Sequence, residues 1–289
     1  MARGKPLSIP HQNAIKKTTF ARSISRANDM YKLFVFILLF ITFSCCHHRN
    51  TVDGQTVALG LESPKTNDIK GNHAILVSHT GFTLSYNTQW RIPNWVAYEL
   101  TASKANGSIK RDGGFYEDPA VGPYTATASD YKGSGYSRGH MAPAGDMKWD
   151  ADAMHESCYY SNICPQDGGL NNGVWNSIEM QIRNATRYFD RIYVVCGPIV
   201  SEQPQTIGTN HVAVPQAFFK AILAVKNDSY SSIAFYCTNT NLPSPYTQYA
   251  LSVDELEAHI GMDLFYQLPD AIEATVEAQK ENPLEKERH

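Results

Sequence analysis

SGYSRGHMAPAGDM (residues 134–147) and YYSNICPQDGGLNNGVWNSIE (residues 159–179) are the two stretches whose reading decides the fold. The first is rich in glycine, poor in helix formers, and sets Arg138 and His140 two positions apart. On a strand that spacing puts both side chains on one face. A guanidinium grips a phosphate through two parallel hydrogen bonds. An imidazole with an ordinary pKa takes a proton from water near neutral pH. Gly139 between them has no side chain, which leaves room for a polymer backbone to approach, and Pro143 fixes the exit from the strand. The second stretch reads as a short strand, YYSNI, then a loop, then a helix. In NNGVWNSIEMQIRNATRYFD (residues 171–190), Trp175, Ile178, Ile182, Ala185 and Phe189 recur at spacings of three and four and make one buried stripe.

Asn171 stands where that helix begins. Its carboxamide oxygen is a hard, neutral donor suited to Mg²⁺; it is equally an ordinary N-cap. Glu179 follows two turns later, ~12 Å along the axis and roughly 80° around an unbroken α-helix, so it reaches an ion at Asn171 only through water.

Outward from this centre the chain alternates strands and helices without repeats. HAILVSHTGFTLSYN reads as a hairpin and PNWVAYEL as a third strand, followed by a loop-rich stretch over residues 101–137. WDADAMHESC reads as a short helix. RIYVVCGPIV is apolar enough to be central in a sheet, and HVAVPQAFFKAILAV and SSIAFYCTN add further strands. SVDELEAHIG is a helix with a Ser252–Glu255 capping box and Gly261 at its end. The class is α+β, a mainly antiparallel central sheet with helices packed on it. The expected organisation is a signal segment over residues 1–44, a polar tether over 45–72, one domain over 73–270 and a charged, frayed tail over 271–289.

Charge is unevenly spread. Residues 1–44 carry seven Lys/Arg and one acid, so of a total of −3 the remainder holds −9. No global basic field draws in a polyanion, and phosphate chemistry must rest on a few placed cations. The apolar run Leu33–Phe43 is eleven residues long, too short to span a bilayer and fitting the core of an export signal. Ser44 before Cys45 is similar to a bacterial lipobox. These features predict an exported bacterial protein, secreted or anchored through a lipid on Cys45, with Met30 as an alternative start. Cys158, Cys164, Cys196 and Cys237 would then meet an oxidising compartment. Four cysteines allow three pairings and the sequence does not choose; Cys196 and Cys237 also fit as buried thiols.

SRGHMAP followed by SNICPQ and LNNGVWNSIE resembles the DNA/RNA non-specific endonuclease family, the ββα-metal nucleases. NWVAYEL, FYEDP, YVVCGPI, HVAVPQAFFKAIL and SVDELEAHIG extend the likeness over roughly residues 75–270. The resemblance implies the ββα-metal nuclease fold and hydrolysis of phosphodiester bonds in DNA and RNA, leaving 5′-phosphate ends. It implies His140 as general base and Asn171 as ligand of a single Mg²⁺, with Mn²⁺ as a substitute. It implies Arg138 on phosphate, Asn162 lining the site and Glu179 acting on the metal's water shell. Arg111 and Arg183 correspond to two further site arginines, although Arg111 lies two residues farther from Asp118 than the family spacing. Ser137 stands where many members have Asp. Some relatives are dimers, so a second copy is an expected partner beside DNA and RNA. Two other readings compete: an exported binding protein that kept this fold without catalysis, and a structural zinc site built on His155, Cys158 and Cys164. Asp146 reads as a loop or capping acid, and His73, His79, His211 and His259 as surface or strand histidines.

Overall fold

The computed structural model describes Met1 and residues 49–52, 55–58, 64–66 and 73–285. The expected signal segment, Cys45 and most of the expected tether lie outside the described residues. Everything below concerns the second of two units, Arg49–His289.

Seven strands form the central sheet: β1 (Ala74–Ser78), β2 (Thr83–Asn87), β3 (Ile92–Leu100), β6 (Arg191–Ile199), β7 (Ala217–Lys226), β8 (Ser229–Thr238) and β9 (Ala250–Leu251). Their spatial order is β9-β8-β7-β6-β3-β2-β1, and every neighbouring pair is antiparallel. The apolar RIYVVCGPI run thus takes the middle position, as its composition demands. Alternation along β7 feeds two cores. Phe218, Ile222 and Ala224 join one, and Phe219, Ala221 and Leu223 join the other. A lysine, Lys220, sits in this run and is fully buried.

The first core is covered by helix α2 (Asn176–Ala185), which brings Ile178, Ile182 and Ala185 to it. Full burial of one such isoleucine contributes about 2 kcal/mol. Two short elements stand apart from the main sheet: β4 (Ser137–His140) and β5 (Ile163–Gln166), paired antiparallel with His140 opposite Ile163. Helix α1 (Ala151–Glu156), capped by Asp150, lies between them in the chain. The β4–β5 hairpin followed by α2 is the ββα unit.

The entry into α2 differs from the expected N-cap at Asn171. Asp167 caps the first turn, Gly168–Leu170, by accepting from the backbone N–H of Gly169 and Leu170. Residues Asn171–Trp175 then form a wider π turn with non-helical backbone at Gly173 (φ −98°, ψ −109°). The 80° reckoning for an unbroken α-helix therefore fails between Asn171 and Glu179.

The second core lies on the opposite face of the sheet, under α3 (Val253–Ile260) and α4 (Asp270–Glu277). Ser252 and Glu255 form the capping box, and Gly261 closes α3 at φ 68°. Over its described residues the tail is docked, not frayed. Val276 is buried, and Ser232 Oγ donates to its carbonyl at 2.7 Å. Within the stretch expected to be a tether, Lys65–Thr66 pair with Met262–Asp263.

Candidate active site

The ring of Phe115 gathers three of the expected site residues. Arg111 lies 4.3 Å above it, Arg138 lies 5.3 Å from its centroid, and the His140 ring packs at 5.4 Å. Arg138 is also 5.6 Å from the Tyr131 ring, and its Nη2 donates to the Ala128 carbonyl at 3.5 Å. Aromatic faces and a carbonyl orient this arginine, which explains how Ser137 can stand where a carboxylate is common. Arg138 Nε and His140 Nε2 are buried without hydrogen-bond partners, an unsatisfied pair of the kind found where a ligand is missing. Burial, then the neighbouring Arg111 charge, push the His140 imidazole down to about 3. It is neutral across the physiological range, well below the ordinary value assumed from sequence.

Asn162 does not line the site. It is fully buried, accepts from Ala142 N–H at 2.9 Å and donates to the carbonyls of Ala142 and Ser157 at 2.8 Å each. These bonds fix the chain two residues past His140. Gly139 serves a different neighbour from the one expected. A Cβ there would lie 2.2 Å from Gln166 Oε1, so the missing side chain makes room for buried Gln166, not for a polymer.

A buried polar layer runs behind the hairpin. Asp146, on a 3₁₀ turn, accepts from Arg183 Nε at 2.6 Å and from the Tyr98 hydroxyl at 3.0 Å. Burial raises the Asp146 carboxyl despite Arg183. Burial also pushes Glu179 up to about 7, with Asp146 adding to the rise and Lys220 and Arg183 opposing it. The Lys220 ammonium sits 4.5 Å over the Trp175 ring and donates at 3.4 Å to the carbonyl of Met141, next to His140. Lys220 and Phe115 are the residues that sequence reasoning missed. A lone lysine inside AFFKAILAV was the available signal, since an unpaired ammonium does not belong in an apolar strand. A cleft of about 410 Å³ opens beside this layer, lined by Lys110, Arg111, Lys148 and Gly145 among others. A Cβ on Gly145 would lie 2.5 Å from Arg183 Nη2, so glycine lets that guanidinium pack against the backbone of a cleft-lining residue.

Residues 64–271 match the family model described as DNA/RNA non-specific endonuclease. The chain belongs to this family of nucleases. Human mitochondrial nuclease EXOG is 38% identical over 208 residues, covering 66% of this chain and 56% of its own. Human mitochondrial endonuclease G is 37% identical over 162 residues, covering 52% and 54%. Nuclease C1 of Cunninghamella echinulata var. echinulata is 35% identical over 204 residues, covering 65% and 81%. Among solved structures, the complex of EndoG with EndoGI matches with a TM-score of 0.64 and 29% identity, covering 68% of this chain and 88% of that one. The match spans little more than half the length of human EXOG and endonuclease G.

These relatives overturn the expected exported bacterial lipoprotein, because several are mitochondrial nucleases. The physical cause of the misreading is plain. A basic, acid-poor N-terminal segment followed by an apolar run is read as an export signal, but basic and acid-poor composition is also that of an organelle presequence. The cysteines give no staple: Cys158, Cys164, Cys196 and Cys237 are all buried free thiols. The zinc reading also fails. His155 packs against the Tyr116 and Tyr159 rings, and among the described residues no cluster of metal-ligating side chains includes it or a cysteine.

The donors at the nuclease site fit a hard divalent cation. Asn171 makes no side-chain hydrogen bond among the described residues, which leaves its carboxamide oxygen available. Glu179, buried on α2, is a second hard oxygen donor; of the thiols on the adjoining strands, Cys164 and Cys196 are both buried, and Cys196 Sγ donates to the Met141 carbonyl at 3.2 Å.

Proposed function

We propose that this protein is a divalent-metal-dependent endonuclease hydrolysing phosphodiester bonds of DNA and RNA, with His140 as general base. The observation that carries this reading is the convergence of Arg111, Arg138 and the neutral, unpartnered His140 on Phe115. His140 accepts the proton of a water that attacks phosphorus. The P–O3′ bond breaks opposite the attack, leaving a 5′-phosphate, and the 3′-oxygen takes a proton from solvent. Arg111 and Arg138 grip the phosphate and meet the negative charge that builds in the transition state. The arriving phosphate also offsets the two guanidinium charges and so raises the basicity of His140. Asn171 would hold Mg²⁺ or Mn²⁺, with Glu179 reaching the ion's water shell; a bound cation supplies Lewis-acid stabilisation of the phosphate oxygens.

Asn162 and Lys220 act through the backbone. One pins Ala142, the other the Met141 carbonyl, and together they fix the strand end that bears His140. Arg183 is held by Asp146 at the cleft wall, where its free Nη groups face a polyanion. Contacts of this kind reach phosphates and not base edges, so sequence preference is weak and both DNA and RNA are substrates.

Plasmid nicking by purified protein, with Mg²⁺ and with EDTA, tests the reading. The wild type should cut only with metal. His140→Ala should lose cleavage by at least 10³-fold with an unchanged circular dichroism spectrum, the upper range of general-base contributions being ~10⁴. Wild-type cutting by His140→Ala would refute the assignment.

A further inference from the structure

We propose that Asp254 and Glu257 of α3 and Glu277 of α4 form a divalent-cation site of the calcium type, remote from the nuclease site. One carboxylate oxygen from each lies within 4.8 Å of the others. Oxygens bound to one Ca²⁺ at ~2.4 Å are at most ~4.8 Å apart, so the three can close on a single ion with small side-chain adjustments. Glu277 supplies an independent observation. It is 4% exposed, and its Oε1 is buried with no hydrogen-bond partner. A buried carboxylate oxygen without a donor is costly unless something positive meets it.

The surrounding charges sharpen the point. Asp263 and Glu273 stand near the same carboxylates, and burial with these neighbours pushes Glu277 up to about 9. Lys65 pairs with Asp263 and Lys280 with Glu255, so neither ammonium is paired with the three carboxylates. Among the described residues, no lysine or arginine pairs with any of the three carboxylates.

The donor set is all oxygen, which excludes a preference for zinc. Mg²⁺ demands a tighter octahedron at ~2.1 Å and is seldom caged by protein carboxylates alone, whereas Ca²⁺ accepts irregular sets completed by water. The role is structural. α3 and α4 share the second core through Val253, Leu256 and Val276, while the nuclease residues lie over the first. An ion bridging the two helices would clip the C-terminal helix to the fold and leave the catalytic layer untouched.

Thermal unfolding of the full chain tests this. Protein stripped with EDTA is titrated with CaCl₂ or MgCl₂ as wild type, Glu277→Gln, Asp254→Asn and Asn171→Ala. Calcium at a hundredfold excess over Kd should raise the wild-type Tm by about 5 °C. The rise should vanish in Glu277→Gln and Asp254→Asn and persist in Asn171→Ala, and magnesium should raise it less. Glu277→Gln and Asp254→Asn should keep Mg²⁺-dependent nicking. An equal calcium response in wild type and Glu277→Gln would overturn the site. So would a wild type that ignores calcium to ~10 mM while Glu277→Gln is more stable than it, because Glu277 would then be a protonated acid. Asp254 is exposed, so Asp254→Asn reports even if Glu277→Gln fails to fold.

Discussion

Phe115 carries no charge, yet Arg111, Arg138 and His140 all take their positions from its ring. The ring holds both guanidiniums, each gaining a cation–π contact of about 0.5–1 kcal/mol where partly exposed. The same arrangement sets the acidity of the base. Burial and the Arg111 charge hold His140 near 3, so its neutral form dominates throughout the working range. Protonation of His140 in the free enzyme should therefore limit kcat/KM only in strong acid. Arg111→Gln removes a cation that disfavours imidazolium, which raises the His140 pKa. The acid limb of the pH–kcat/KM profile should move to higher pH in this variant, while the rate at its plateau falls. Profiles carried down to about pH 2.5 check this, and an acid limb that stays in place would separate Arg111 from His140. Arg138 and His140 were legible in the sequence because their spacing is local, whereas Arg111 and Arg183 came only with the family resemblance. Phe115 and Lys220 were not legible, because each acts across tens of residues and an aromatic or a lysine carries no local sign of such a partner.

At the scale of elements, strands and capped helices followed from apolar alternation and capping chemistry, and the central place of β6 from its lack of any polar face. The π turn over Asn171–Trp175 had no compositional signature, since a widened turn uses the same residues as an α-helix. Helix α4 was hidden for another reason. Its charged residues suggest a solvated tail, while its docking rests on buried Val276 and the bond from Ser232. The π turn is testable as an element. Deleting Asn172 would let the segment close as regular α-helix and re-aim Asn171. Helix content by circular dichroism should be unchanged, and Mg²⁺-dependent cleavage should drop by about 100-fold, the scale expected for a misplaced catalytic group. A second element-scale device is His79, read from sequence as an ordinary histidine. Its side chain, 6% exposed, joins the β1–β2 turn to Asp118 at 3.0 Å and to Glu156 of α1 at 3.8 Å. Burial alone would lower its pKa, but the two carboxylates raise it to about 9. The folded state thus holds this proton more tightly than the unfolded chain does. The stabilisation is full below about pH 6.5 and is lost as pH rises through 9, a drop on the order of 3 kcal/mol. Urea unfolding at pH 6.5 and 9.5 should show that drop in wild type and a smaller one in His79→Gln.

For the whole molecule the balance of charge decides how substrate is held. Residues 45–289 carry −9, so the body as a whole repels a polyanion, and the cleft lined by Lys110, Arg111 and Lys148, with Arg138 and Arg183 near it, offers a group of placed cations. Affinity must come from these few placed cations and must be sensitive to salt. Each neutralised phosphate contributes a slope of about −0.9 to log K against log salt on duplex DNA. Four such contacts give a slope of about −3.6, or roughly a hundredfold loss between 50 and 200 mM salt. The double variant Lys110→Ala, Lys148→Ala removes two cations from the cleft wall and none from the Phe115 cluster. Its slope should fall to about −1.8, with weaker binding of DNA and RNA alike, since neither lysine reads bases. At saturating substrate its turnover should stay near that of wild type, because the groups that meet the reacting phosphate are intact. Binding isotherms with catalytically inactive His140→Ala as background, paired with turnover on the active chain, measure both quantities. An unchanged salt slope would move the substrate path away from this cleft, whatever the chemistry at His140.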